Sequence, residues 1–298
     1  MNETDILNII HNQLGDEYIG DDCAYLKDIG IVISQDSLIE DIHFKTQWCT
    51  PFQLGYKSVV VNISDILASG AIPKYVTIAL SLPNNIKSDY INEFYKGAKF
   101  ALKDAKIVGG DITGSNDKIA ISVTAIGITG NRNISSRSNA KDGYIVITKG
   151  FHGSSAAGLE QLKNKGSDEK LILAHLMPEL EYDFSESISV NVMEPYAMMD
   201  TSDGLADALF KIAESSNVKI IADYNKIPHL GNVTKNQVYF GGEDYKLIAA
   251  IPSGYFNKIN GAVEIGSVVK YDGVRLDISG DKYSNYTKLD TYNHFSDN

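Results

Sequence analysis

Along the first half of the chain, short apolar runs with a period of two alternate with longer stretches whose apolar residues recur every three or four positions. "GIVISQDS" is a β-branched run that ends in an acid, and it predicts a strand delivering Asp36 at its carboxyl end. "HFKTQWCTPFQLGYKSVVVNISDILASGAIP" predicts a loop and then a helix that opens near Pro51 and stops at Gly70, ahead of Pro73. On that helix Ser58, Asn62, Asp65 and Ser69 line one stripe, and Val59, Ile63, Ile66 and Leu67 supply the apolar surface around it. Asp65 is therefore expected on a helix and partly buried. "KYVTIALSLP" reads as a strand, and "SDYINEFYKGAKFALKDA" as a helix with Tyr90, Phe94, Ala98 and Ala101 on one side. "KIVGGDITGS" and "KIAISVTAIGIT" read as two more strands.

The polar, turn-rich "GNRNISSRSNAKDG" interrupts this rhythm and predicts an interdomain connection, with a boundary near Arg137. A new strand, "YIVITKG", follows it, then helices around "SSAAGLEQLKN" and "SDEKLILAHLM". In "YAMMDTSDGLADALFKIAESSN" an apolar lead-in reaches an acidic turn, and a helix is expected to begin near Ser202, with Asp203 in its first turn. The whole predicts a two-domain α/β (α+β) chain, divided into residues 1–136 and 137–298; a length of 298 residues fits two domains of ordinary size.

Composition narrows the partners. A net charge of −11 argues against an extended nucleic-acid surface, because phosphate backbones are bound by neutralising them with many Lys and Arg. The N-terminal segment lacks the basic start and apolar core of a signal peptide, and no run is long enough to cross a bilayer, so a cytoplasmic protein without a membrane partner is expected. Cys23 and Cys49 are too few and too poorly spaced for a zinc site or a disulfide framework, and are expected to be reduced, inert thiols.

The chemistry lies in a repeated grammar. "GDDCA", "SQDS", "NISD", "GGDITG", "DTSDG" and "GGEDYKL" each set an acid among glycine, serine or threonine, usually after an apolar run. Any one of these is most simply a turn former or a helix cap. Jointly they would gather acids at one rim of a sheet, where carboxylates without a cation would raise one another's pKa values. A site for several Mg²⁺ ions is the expectation: the acids come singly from distant loops, leaving room for water and phosphates, and no EF-hand loop or His/Cys set favours Ca²⁺ or zinc. No Walker A motif and no protein-kinase H-R-D/D-F-G pair is present, so a nucleotide site would be of another type. "HGSSAAG" near His152 is read as a turn into a helix rather than a nucleophile loop. His43 is either a satisfied structural histidine or, from its nearness to Asp36, a ligand contact. Arg137 is either solvated or a phosphate contact, and Phe295 either a packing plug or a platform for a ring.

In order along the chain, "GDDCAYL", "SQDSLIEDIHF", "GYKSVVVNISDILASGAIPKYVTIALSLP", "GGDITGS", "DTSDGLADAL", "FGGEDYKL" and the terminal "YNHF" resemble the thiamine-monophosphate kinase family. That family belongs to the superfamily of aminoimidazole ribonucleotide synthetase and selenophosphate synthetase. The resemblance implies ATP-dependent transfer of a phosphoryl group onto thiamine monophosphate, giving thiamine diphosphate and ADP. It also implies an N-terminal domain whose sheet pairs across a homodimer, and a C-terminal domain that completes the substrate site. By the family motifs, Asp22, Ser34, Asp36, Asp65, Asp111, Asp200 and Asp203 would hold magnesium, with Asp36, Asp111 and Asp203 closest to the chemistry. Tyr95, Gly110, Asp111, Arg137 and Ser202 would sit around ATP, and His43, Glu243 and Phe295 around the thiamine moiety.

The chain departs from the family in places. Gln35 stands where the family commonly has Thr, so a hydroxyl ligand is lost there and only its backbone carbonyl would remain for the metal. "DTSDG", "FGGEDYKL" and "SSRSNAKDG" are loose versions of family motifs, but none lacks a predicted acid. Two alternatives stay open on the sequence: another ATP-dependent enzyme of the superfamily, and a magnesium- or nucleotide-binding protein without turnover.

Overall fold

The alternating first half folds into one mixed sheet with helices packed on it. In the computed structural model, which describes residues 3–15 and 17–289, the order is α1 (Glu3–Leu14), β1 (Ala24–Leu26), β2 (Ile31–Ile39), α2 (Pro51–Ala68), β3 (Ile72–Pro83), α3 (Ser88–Ala101), β4 (Lys106–Ser115) and β5 (Ala120–Ile128). The strands lie in the order β1-β2-β5-β3-β4, with β3 and β4 the parallel pair. Strand β2 runs on past the expected end, so Asp36 sits inside it, opposite Val123 of β5. The reason is local: Val32, Ser34 and Leu38 are all buried on the face that Asp36 shares, so the period of two passes straight through the acid.

Helix α2 matches its expected span. Thr50 caps it, accepting from the Gln53 N–H while the Gln53 side chain accepts from the Thr50 N–H, and Pro51 opens the first turn. The helix is buried on nearly every side because it packs against both halves of the chain. One apolar cluster joins Val59, Ile63, Ile66 and Leu67 to Val123 of the first sheet and to Phe184, Ile188, Met198 and Ala249 of the second half. Against α3 the backbones nearly touch: a methyl group on Gly55 would lie 1.9 Å from the Phe94 carbonyl oxygen, and one on Gly97 would lie 1.8 Å from that of Phe52. Gly55→Ala is therefore expected to push the two helices apart and destabilise the fold by about 1–3 kcal/mol. Chemical denaturation measures this, and an unchanged midpoint would contradict the close packing.

The second half comprises β6 (Tyr144–Thr148), α4 (Ser154–Lys163), α5 (Glu169–Leu176), α6 (Tyr182–Asn191), β7 (Ala197–Asp200), α7 (Leu205–Ser215), β8 (Val218–Ala222), α8 (Lys235–Phe240), β9 (Leu247–Pro252), β10 (Val263–Lys270), β11 (Leu276–Ile278) and β12 (Asp281–Tyr283). Its mixed sheet has the order β12-β11-β8-β10-β6-β9-β7. Leu205, Leu209, Phe210 and Ala213 of α7 share a second apolar cluster with Ile220, Val268 and Leu276 from this sheet. Helix α7 begins at Leu205 rather than near Ser202, because Gly204 sits at φ +110, a conformation no helix continues through. Ser202 and Asp203 are thereby left in the turn ahead of the helix. Among the described residues, no helix is long and apolar enough to cross a membrane.

Candidate metal and phosphate site

Four elements converge their acids beside the N-terminal sheet. Asp22 comes from the loop before β1, Asp65 from α2 and Asp200 from the end of β7, and one carboxylate oxygen of each lies within 4.8 Å of the others. Ser34 on β2 donates its hydroxyl to Asp65. Ser64, one residue earlier on α2, donates to Asp200 at 2.5 Å. Asp36 belongs to the same group: its N–H donates to the Asn62 side chain at 2.9 Å, and its carboxyl is raised by burial and by the charges of Asp203 and Asp22. The expected stripe on α2 thus does what its spacing implied, with Asn62 orienting β2 and Asp65 joining the acids.

Such crowding is costly without a cation. Burial, then Asp36, Asp200 and Asp22, push the Asp65 carboxyl well above the ordinary range. Burial and Asp22 push Asp200 up to about 7. Arg137 offsets part of this: its guanidinium pairs with Asp22 at 2.5 Å, and its backbone N–H donates to Asp21 at 2.6 Å. The Arg137 Nε is buried without a partner, so the fork retains a donor to give. Lys211 neutralises Asp203 at 3.3 Å and the buried Asp207 at 2.8 Å. An all-oxygen donor set with several mutually repelling carboxylates, supplemented by a serine hydroxyl, suits a hard divalent cation, so the residues fit Mg²⁺.

A second group surrounds Glu243. The residue has φ +65, donates its N–H to the Ser202 carbonyl at 2.7 Å, and follows Gly242, where a methyl group would lie 2.6 Å from that same oxygen. The glycine lets the loop press against the acidic turn. Lys57 of α2 reaches the Glu243 carboxylate at 3.0 Å and His175 of α5 at 3.5 Å. Burial alone would raise Glu243, but Lys57 and His175 outweigh it and hold the carboxyl below its ordinary value. Lys57 and His175 also line a cleft with His43, Trp48 and Leu176. His43 accepts the Ile39 N–H at 3.0 Å through Nδ1 and lies on the wall of the cleft.

Not every expected residue joins these groups. The Gln35 side chain lies on the face opposite Ser34 and Asp36, where it accepts from Thr124 at 3.1 Å, so only its backbone remains for a metal. Asp111 and Gly110 lie exposed on β4. With β5 and β3 between β4 and β2, Asp111 stands about 14 Å from Asp36 at ordinary strand spacing. Tyr95 is on α3, its hydroxyl raised by burial alone. The predicted ATP set therefore divides: Arg137 and Ser202 adjoin the acid cluster, whereas Tyr95, Gly110 and Asp111 do not. Phe295 falls outside the described residues.

Cys23 and Cys49 are free thiols, raised by burial, Cys49 to about 11, which agrees with the expected inert chemistry. "HGSSAAG" is a turn into α4, as read from the sequence. Lys57 and His175 were missed. His175 is a lone polar residue in the apolar run "ILAHLM" and Lys57 one of several polar residues on α2, and neither by itself says anything about its partner.

Comparison with known proteins places this geometry in a family. Residues 20–129 match the model for the AIR synthase related protein, N-terminal domain. The thiamine-monophosphate kinase of Bacillus subtilis (strain 168) is 31% identical over 99% of this chain and 100% of its own length. The chain belongs to the thiamine-monophosphate kinase family. The Aquifex aeolicus (strain VF5) member is 33% identical over 93% of this chain and 94% of its own. A solved structure of AaThiL complexed with AMPPCP and TMP has 31% identity and a TM-score of 0.89, covering 99% of this chain and 97% of that one.

Proposed function

We infer that this chain is a thiamine-phosphate kinase, which transfers the terminal phosphoryl group of ATP to thiamine monophosphate. The full-length likeness to a structure that carries an ATP analogue and TMP supports this most directly. The residues agree with it chemically. A phosphate monoester is already anionic near neutral pH, so no general base is needed to make the nucleophile. The difficulty is repulsion between two phosphates, and the site concentrates groups that relieve it. Asp22, Asp36, Asp65, Asp200 and Asp203, with the Ser34 hydroxyl, would hold the magnesium ions, which when bound supply the positive charge that neutralises donor and acceptor phosphates. Arg137, paired with Asp22 and with its Nε unsatisfied, would bring a cation to the phosphate oxygens beside the metal. Ser202 adjoins it in the acidic turn, and Glu243 and His43 face the acceptor side. We assign residues 1–136 to most of the metal and nucleotide site, which Arg137, Asp200, Ser202 and Asp203 of 137–298 complete, with Glu243 on the acceptor side. Use of ATP is in keeping with a cytoplasmic enzyme.

The separation of Asp111 from the cluster favours a homodimer. Strand β4 is the edge of its sheet, and Val108 and Ile112 on it are more than half exposed. An unpaired apolar edge of this kind is normally covered. We propose that β4 meets a second copy, and that Gly110 and Asp111 then serve the partner's acid cluster. Two linked results test this reading. Wild-type protein given ATP, Mg²⁺ and thiamine monophosphate yields thiamine diphosphate, and yields none with thiamine instead or without metal. Asp36→Ala and Asp111→Ala are each inactive alone, but co-expressed they recover roughly a quarter of the wild-type rate, because half the dimers carry one intact site. No recovery on mixing would rule out the contribution in trans, and no product from the wild type would overturn the activity.

A further inference from the structure

Lys57 is out of place in a helix built to pack. It is only 4% exposed, among the buried residues of α2, and its ammonium meets Glu243 at 3.0 Å. Burying a lysine costs free energy that an apolar side chain of similar size would not, so packing does not explain it. His175, also 4% exposed, approaches the other carboxylate oxygen at 3.5 Å and contacts the Ser155 hydroxyl at 3.0 Å. Burial and Lys57 hold the His175 ring at about 4, so at pH 7 it stands beside the carboxylate as a neutral ring rather than as a second cation, with Nδ1 between the Ser155 hydroxyl and Glu243.

The loop that carries Glu243 is anchored on its other side as well. Asp244, buried, accepts the N–H groups of Gly153 and Ser155 at the start of α4, at 2.5 and 2.8 Å. The backbone of Glu243 is therefore held by Ser202 and by α4, and its carboxylate by α2 and α5. Lys57 and His175 meanwhile form part of the wall of the cleft that His43 and Trp48 line. The grip on the acid and the wall of the cleft are made by the same two side chains.

We propose that Lys57, supported by His175, is a positioning residue for acceptor recognition, fixing the direction of the Glu243 carboxylate so that it meets the nitrogen-bearing rings of the acceptor. The proposal rests on the reading of the acceptor as thiamine monophosphate. Neither residue belongs to the acid cluster that would hold the metal and the phosphates. Their loss therefore weakens capture of the acceptor and spares the chemistry on ATP.

The test uses the full-length enzyme and the variants Lys57→Met, Lys57→Arg and His175→Gln, with thermal melts confirming that each folds. Lys57→Met is expected to raise KM for thiamine monophosphate roughly 10- to 100-fold, the value of a lost hydrogen bond to a charged group. KM for ATP and kcat stay within about twofold. Lys57→Arg restores most of the loss, and His175→Gln gives a smaller rise in the same direction. Trp48, the only tryptophan of the chain, lies on this cleft, so its fluorescence during titration with thiamine monophosphate reads binding without turnover. An unchanged KM in folded Lys57→Met, or equal losses toward both substrates, would overturn the proposal while leaving the activity intact. A wild-type enzyme that does not phosphorylate thiamine monophosphate would remove the acceptor reading and this proposal with it.

Discussion

Asp65→Asn is expected to abolish phosphoryl transfer and, with metal removed, to make the protein more stable. Asp65 accepts the Ser34 hydroxyl and has Asp22 and Asp200 within 4.8 Å. Burial and these neighbours push its carboxyl well above the ordinary range, which means that its ionised form is opposed by the fold. An amide keeps the volume and can still accept from Ser34, but removes the repelled charge. Chelator-treated Asp65→Asn is therefore expected to be more stable than the wild type. The same change takes one anionic ligand from the centre of the proposed magnesium site. A loss of about a thousandfold in kcat is the expected scale, equal to about 4 kcal/mol of transition-state stabilisation. Steady-state assays and melts in chelator measure the two effects on one variant. An active Asp65→Asn, or one less stable than the wild type in chelator, would remove Asp65 from the metal site.

The second large effect is a dependence of stability on pH that magnesium reverses. Asp200, 1% exposed, has its carboxyl raised by burial and Asp22 to about 7. An acid whose pKa is higher folded than unfolded binds more protons in the native state between the two values. Stability then falls as pH rises, here from about 4 to about 7, and the loss is complete above that. The cost is on the order of a few kcal/mol. Asp41, Asp183 and Asp272, pulled low by hydrogen bonds from Lys118, Lys149 and Lys219, act in the opposite sense but titrate below this window. His152 and His175, lowered by burial to about 3 and about 4, oppose the fall between about pH 4 and 6.5, so the difference between chelator and Mg²⁺ is what isolates the cluster. A metal binds the deprotonated carboxylates, so saturating Mg²⁺ stabilises most at high pH and flattens or inverts the slope. Asp244, also raised to about 7 by burial, lies apart from the cluster and contributes a remainder that Mg²⁺ leaves in place. Denaturation from pH 5 to pH 8, in chelator and in Mg²⁺, reads both parts. Parallel curves would show that the cluster does not bind the ion.

Much of this site was legible in the chain. The stripe of Ser58, Asn62, Asp65 and Ser69 follows from helical periodicity alone, and the Thr50-Pro51 start is local chemistry. The acid motifs, in their order, carry the family, and with it the activity. Local patterning was less exact at the ends of elements. The strand around Asp36 ran on because buried Leu38 keeps its period, and α7 started late because Gly204 adopts a backbone conformation that Ser202 gave no sign of.

Only the tertiary structure decided which of these residues meet. The period of a strand determines the face of each side chain, but its place in the sheet depends on pairings between distant segments. Hence Asp36 joins Asp65 through the packing of α2 on β2, while Asp111, with an equally good motif, lies three strands away on an edge. Hence also Lys57 and His175, which have no evident partner in the sequence, become intelligible once the Glu243 loop folds against both. Periodicity and motifs along one chain determined the elements and the chemistry available. Long-range packing, which no local pattern encodes, decided which charges face one another and so which acids need a cation.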